Sequence, residues 1–190
     1  MYEYISGRLA TITPTNAVID CGGVGYLMEI SLNTYSAIEH LQEVRLWVHE
    51  VVREDAHLLY GFATPDEREM FRLLIGVNGV GSATARMILS SLSPEELQGA
   101  IASQDAKKMQ RVKGVGAKTA QRIVLELHDK VSGTGMAASG ILSTVSQSKE
   151  EALSALVMLG FPKAAADKVL QPMDGTLPVE TLIKEALKKL

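Results

Sequence analysis

The sequence predicts an α+β chain of several domains: an N-terminal five-stranded β-barrel, an all-α middle with an internal duplication, and a C-terminal bundle of three helices. Three observations carry that reading. Residues 1–64 are a series of short runs rich in strand formers, divided by turn residues. A nine-residue glycine hairpin then occurs twice, at an offset of 35 residues, each time between apolar helical stretches. After a Gly- and Ser-rich segment, residues 149–190 return to a helical spacing of Leu, Ile and Val.

The strand runs are Ile5–Ile12, Ala17–Cys21, Tyr26–Ser31, Val44–Val52 and His57–Phe62. Pro14-Thr15-Asn16, Gly22-Gly23-Val24-Gly25, a polar segment at 34–42 and Arg53–Ala56 separate them. Five short strands with such turns suggest a small barrel, and the OB-fold is the economical five-strand choice. Thr34–Leu41 reads as a short helix between the third and fourth runs. Thr64-Pro65-Asp66 is a helix start with Pro near its first position, and places a domain boundary at 64/65. Ser93-Pro94-Glu95-Glu96 is a second start, with a capping Ser and acids in the first turn.

Within the helical middle, Val77, Gly79, Val80, Gly81, Thr84, Ala85 and Ile88 recur as Val112, Gly114, Val115, Gly116, Thr119, Ala120 and Ile123. Self-similarity at a fixed period marks a duplicated supersecondary unit. Gly79 and Gly114 suit φ > 0, while Gly81 and Gly116 let another group approach the main chain. Val80 and Val115 are expected to plug each bend into the core. The helix that follows starts with N–H groups that have no intrahelical acceptor, and with the positive end of its dipole, which is an anion site. The spacing resembles the helix-hairpin-helix DNA-binding motif, and the duplication resembles its paired form. The residues expected to meet phosphate are Asn78, Gly79, Gly81, Ser82, Ala83 and Thr84 in the first copy. In the second they are Lys113, Gly114, Gly116, Ala117, Lys118, Thr119 and Arg122.

Charge supports the second copy in particular. The chain is −3 overall, but residues 1–64 hold 3 basic and 8 acidic side chains, residues 65–135 hold 10 and 8, and residues 136–190 hold 6 and 6. Lys107, Lys108, Arg111, Lys113, Lys118 and Arg122 follow one another with no acid between Asp105 and Glu126. Cations beside phosphate add salt-dependent affinity. The stretch Gly114–Thr119 is superficially similar to a P-loop, but Ala117 rather than Gly precedes Lys118, and no strand leads into it. Neither hairpin has the third glycine of a dinucleotide fingerprint. No nucleotide or other cofactor is expected, and a single Cys21 rules out a disulfide framework and a multi-cysteine metal site. The N-terminus has no signal-peptide pattern and no apolar run reaches transmembrane length, so a cytoplasmic chain with no membrane partner is expected.

Residues 65–135 therefore read as the tandem hairpin domain, 136–148 as a flexible linker and 149–190 as three helices. The helical patterns there run Glu151–Leu159, Pro162–Leu170 and Pro178–Leu190. The turn Leu159-Gly160-Phe161 resembles that of ubiquitin-associated-type bundles. A bundle this small on a tether suits partner docking better than catalysis.

Taken together, Gly22-Gly23-Val24-Gly25-Tyr26, Val51-Val52-Arg53-Glu54-Asp55-Ala56, Leu59-Tyr60-Gly61-Phe62 and the two hairpins resemble the RuvA family over essentially the whole chain. That family supplies the Holliday-junction-binding subunit of the bacterial branch-migration machine. The resemblance implies a non-catalytic subunit acting in recombination and repair. It implies a homotetramer, with a face-to-face octamer as an alternative, whose fourfold symmetry matches the four arms of a DNA junction. Its implied partners are four-way junction DNA and the hexameric RuvB ATPase, with the RuvC resolvase as a further member of the same complex. Glu54 and Asp55, by themselves acids in a β-hairpin turn, become in that setting a central acidic pin that repels phosphate and disfavours intact duplex. Leu156, Leu159 and Leu187 become candidate apolar contacts for the motor, although burial in the bundle's core is the commoner fate of such a residue. One departure matters: similar proteins often carry Lys where this chain has Ala83, so the first hairpin is expected to be the weaker.

Three other functions fit these residues less well. A DNA glycosylase or lyase needs a catalytic Lys or Asp just after a hairpin, and Asp129 is the nearest such acid, without aromatic residues to line a base pocket. A two-metal nuclease needs clustered carboxylates. A single-strand binder built on the barrel needs stacking aromatics, which make up only 5% of this chain.

Overall fold

The computed structural model describes residues 2–133 and 144–190. The first stretch packs as one compact unit and the second as another. Five strands form a closed barrel in the order β1-β2-β3-β5-β4: β1 Tyr4–Thr13, β2 Asn16–Cys21, β3 Val24–Ile30, β4 Glu43–Val52 and β5 His57–Phe62. All neighbours are antiparallel except β3 and β5, which pair in parallel. Alternation fills the interior: Val44, Leu46 and Val48 point inward, as do Ala17, Ile19, Met28 and Ile30, while Glu43 and Arg45 face solvent. Helix α1, Leu32–Ile38, connects β3 to β4 and is capped by Ser31, whose side chain accepts from the Thr34 N–H. The strands agree with the sequence expectation to within two residues at either end.

Helices α2 (Pro65–Ile75), α3 (Ser82–Ser91), α4 (Pro94–Ala102), α5 (Ala106–Gln110) and α6 (Ala117–Gly133) follow. Thr64 caps α2 with Pro65 at its start, and Ser93 and Glu96 close a reciprocal capping box on α4. The helical core does not stop at residue 64. Tyr60 and Phe62 of β5 lie in the same buried cluster as Met70, Phe71, Leu74, Ile88, Leu89, Ile101, Ile123 and Leu127. Phe71 touches Tyr60 and Phe62, with ring centroids 4.9 and 5.0 Å away.

Two polar groups fasten α2 to the barrel. Buried Arg68 donates to the Glu3 carbonyl (2.9 Å) and carboxylate (2.6 Å) and lies over the Trp47 ring at 5.1 Å. Buried Glu67 accepts from the hydroxyls of Ser31 and Thr34 and from the Ala63 N–H.

The C-terminal unit is made of α7 (Thr144–Met158), α8 (Lys163–Leu170) and α9 (Val179–Leu187). Of the expected linker at 136–148, residues 136–143 lie outside the described residues, and Thr144–Ser148 form the first turns of α7. Ser and Thr cost only a few tenths of a kcal/mol each in a helix, which the Ala- and Leu-rich run after them offsets. Between α7 and α8 the Phe161 N–H donates to the Leu156 carbonyl (3.1 Å) and the Gly160 N–H to Val157 (3.0 Å), with Gly160 at φ 99°. This is a Schellman stop, which needs the left-handed conformation at glycine. Leu156 is a correction to the docking expectation. It is fully buried with Ala152, Ala166, Leu170, Leu182 and Ala186, because its place one turn after Ala152 puts it on the face all three helices share. Leu159 and Leu187 are exposed.

Burial raises the pKa of Glu67, and the hydrogen bonds from Ser31, Thr34 and Ala63 oppose that shift only in part. The unfolded chain therefore loses this proton first, so folding stability falls as pH rises from the ordinary carboxyl range near ~4 through the raised folded value. The difference in melting temperature, wild type minus Glu67→Gln, is expected to be more favourable to wild type at about pH 4 than at about pH 8. An unchanged difference across that range contradicts a Glu67 whose pKa is raised by burial.

Candidate nucleic-acid interface

The two hairpins are built by the same main-chain bonds. The Val80 N–H donates to the Val77 carbonyl (3.0 Å) and the Val115 N–H to Val112 (3.1 Å). Both turns take φ > 0 at their third residue, 90° at Gly79 and 89° at Gly114, the left-handed region that favours glycine. Val77, Val80, Val112 and Val115 are all buried, so each bend is pinned by apolar side chains at both ends. The next helix opens identically, with Ala85 N–H on the Gly81 carbonyl and Ala120 N–H on Gly116, both at 2.9 Å.

Gly81 and Gly116 are the informative glycines. Gly81 has φ −84°, and Gly116 is not among the positive-φ residues, so neither conformation demands glycine. A Cβ built on either meets nothing within 4 Å. The chain's own packing therefore gives no reason for their lacking a side chain, whereas an outside group approaching the main chain does. Gly81 also gives α3 no capping side chain, leaving the first-turn N–H groups of Ser82, Ala83 and Thr84 without a side-chain acceptor. A ligand with several acceptor oxygens and negative charge fits such a helix start.

The expected site residues divide by placement. Asn78, Gly79, Gly81, Ala83, Lys113, Gly114, Gly116, Ala117 and Lys118 are exposed, and Thr84 and Thr119 are half-buried. The Ser82 side chain is turned inward: it is buried and its Oγ accepts a 3.0 Å bond from the buried Tyr60 hydroxyl. That leaves its main-chain N–H as its offering to the bend. Arg122 joins the copies, since its guanidinium donates to the Asn78 carbonyl at 2.9 Å, and it also lies 3.7 Å from Glu126. Nothing in the sequence signalled the Ser82–Tyr60 or the Arg122–Asn78 bond, because each joins elements far apart in the chain. Of the remaining cations, Lys108 sits 3.8 Å from Glu96, while Lys107, Arg111, Lys113 and Lys118 are exposed.

Glu54 and Asp55 are exposed at the tip of the β4–β5 hairpin, which the Arg53 N–H closes on the Ala56 carbonyl at 2.8 Å. Arg53, also exposed, adjoins them, so the tip carries both signs of charge. The Asp129 carboxylate is 97% exposed beside His128, in open solvent rather than in a base-sized pocket. Among the described residues no group of His, Cys, Asp or Glu is arranged to hold a metal ion, and no helix is long and apolar enough to cross a membrane.

A closed five-stranded barrel continuous with a duplicated glycine hairpin defines a tandem helix-hairpin-helix protein carried on an OB-like barrel. Residues 1–61 match the RuvA N-terminal domain, 71–129 the SAM-like helix-hairpin-helix tandem and 147–190 the RuvA C-terminal domain. The chain is 48% identical to the Holliday junction branch migration complex subunit RuvA of Bacteroides thetaiotaomicron. It is 49% identical to that of Christiangramia forsetii and 50% to that of Parabacteroides distasonis, in each case over 100% of both chains. The chain belongs to the RuvA family.

Because a Cβ at solvent-facing Gly81 or Gly116 meets nothing within 4 Å, Gly81→Ala combined with Gly116→Ala is expected to change thermal stability little, the reduced freedom of the unfolded chain offsetting the preference of a helix cap for Gly over Ala. Affinity for a labelled four-way DNA, read by fluorescence anisotropy, is expected to fall by about tenfold or more, which corresponds to about 1.4 kcal/mol. Equal loss of stability and binding contradicts the assignment.

Proposed function

We propose that this chain binds four-way DNA junctions through their backbone phosphates, as the DNA-binding subunit of a branch-migration complex. The observation that carries this reading is the pair of solvent-facing glycines, Gly81 and Gly116, at two identically built helix starts. Full-length similarity to proteins named as Holliday junction branch migration complex subunits supports it. Main-chain N–H groups read phosphate and carry no sequence information, which suits a ligand defined by shape.

On this reading the chain catalyses no bond chemistry. The RuvB ATPase supplies the motor, and the RuvC resolvase joins the same complex. The protomer assembles as a cytoplasmic homotetramer, or an octamer of two such rings, so that weak sites on each arm add through effective concentration. Residues 1–64 and 65–135 serve as barrel and DNA-binding domains, and 149–190 as a motor-docking module. Leu159 and Leu187, the exposed members of the docking set, contact the motor. In the ring Glu54 and Asp55 converge on the crossover, where carboxylates disfavour intact duplex.

Gel shifts with four-way, duplex and single-stranded DNA test the reading: the four-way form is expected to bind most tightly. Equal binding of all three, or incision of damaged duplex by the protein alone, contradicts it. Lys118→Ala is expected to weaken junction binding and flatten the dependence of log K on log salt by about 0.9 for each phosphate left without its cation. Glu54→Gln with Asp55→Gln is expected to raise duplex binding and narrow the preference for junctions. An unaltered preference removes these two acids from the mechanism.

A further inference from the structure

We propose that Tyr60, together with the Glu29–Arg86 ion pair, is the positioning element of the first hairpin: the barrel wall sets the direction in which the α3 N–H groups point. The proposal rests on the phosphate reading above and adds to it how the first site is aimed.

Ser82 is the first residue of α3, and Arg86 follows one turn later on the same face. Their partners are neighbours in the barrel. Glu29 of β3 and Tyr60 of β5 are register partners in the parallel pair. The Tyr60 hydroxyl donates to Ser82 Oγ at 3.0 Å. Arg86 lies 3.4 Å from the Glu29 carboxylate and donates to the Thr15 carbonyl at 3.1 Å. Tyr60 is itself fixed, 2% exposed, with its ring against Phe71. The far end of α3 is tied as well, since the Asn33 amide donates to the Leu89 and Leu92 carbonyls at 2.6 and 3.0 Å. The helix is held by the barrel at its start and by α1 at its far end, which fixes the direction of its axis.

The duplication shows that this clamp is particular to the first copy. At the repeat offset, Ala117 stands where Ser82 is and Gln121 where Arg86 is, so the second copy lacks both side chains that reach the barrel. The reverse holds for charge, where Lys118 stands in the place of Ala83. The copies thus differ in a complementary way. A lysine attracts phosphate over several ångströms and tolerates error in direction. A hydrogen bond from a main-chain N–H weakens steeply as its angle opens. A site without the lysine depends on aim, and aim is what the Tyr60 and Arg86 contacts supply.

The test uses the full-length protein with four-way DNA, combining equilibrium binding across a salt series with phosphate-ethylation interference. Lys118→Ala first identifies which phosphates belong to the second hairpin. Tyr60→Phe, which removes only the hydroxyl, is expected to weaken binding by about threefold to tenfold. The salt slope should stay that of wild type, since no cation is removed, and interference should weaken only at the phosphates that Lys118→Ala leaves intact. Glu29→Gln is expected to act on the same set, and adding Ser82→Ala to Tyr60→Phe should cause little further loss. Tyr60→Phe binding with wild-type affinity and pattern overturns the proposal, as does a loss spread evenly over both phosphate sets. If wild type itself shows no phosphate interference, the underlying binding reading fails first, an outcome distinguishable from failure of the clamp alone.

Discussion

The first turn of an α-helix has donors that the helix cannot satisfy, and this chain turns that constraint into two outward-facing sites. Each site depends on a bend with valines inside and glycines outside. Val77 and Val80, then Val112 and Val115, anchor the bends in one continuous core. Gly79 and Gly114 supply the positive φ that lets the chain reverse within a single turn. Gly81 and Gly116 then leave the approach to the next helix open. On the proposed reading, a phosphate accepting from these groups gains fixed dipoles that need no rearrangement, and main-chain donors of this kind carry no information about base sequence.

Around this shared geometry the two copies have diverged. The second lies within the run of cations ending at Arg122, and Lys118 stands exposed at the start of α6. The first has no lysine at that position and is fastened instead to the barrel. Arg122 links them, its guanidinium donating to the Asn78 carbonyl at 2.9 Å. The barrel contributes more than a platform: β5 runs directly into the helical core through Tyr60 and Phe62, and Arg68 ties α2 to Glu3, just ahead of β1, and to the Val48 carbonyl of β4. The acidic first 64 residues and the mildly basic middle are therefore parts of one compact body with a graded charge.

Most of this was legible in the sequence because it is local. Strand formers alternating between turns marked out the barrel, and the recurrence of Val-x-Gly-Val-Gly marked out the hairpins down to the buried valines. Contacts between distant elements were not legible. Ser82 reads as a free hydroxyl beside a glycine bend, and only the fold shows it buried beneath Tyr60, 22 residues upstream. Arg122 reads as one more cation in a basic run, yet it bridges 44 residues back to Asn78. Leu156 and Leu159 look alike in an apolar helix. The rotation of the helix buries the first against α8 and α9 and leaves the second exposed at the Schellman turn. Periodicity alone cannot assign the inward face of a helix that is apolar on several sides.

Amide hydrogen exchange on the full chain, with and without a synthetic four-way DNA, reads the helix-start donors one by one. Exchange is expected to slow on DNA binding at the first-turn amides of both helices, residues 82–84 and 117–119. Slowed exchange confined to the barrel or to the C-terminal helices, with these six amides unchanged in a saturated complex, contradicts phosphate binding at the two helix starts.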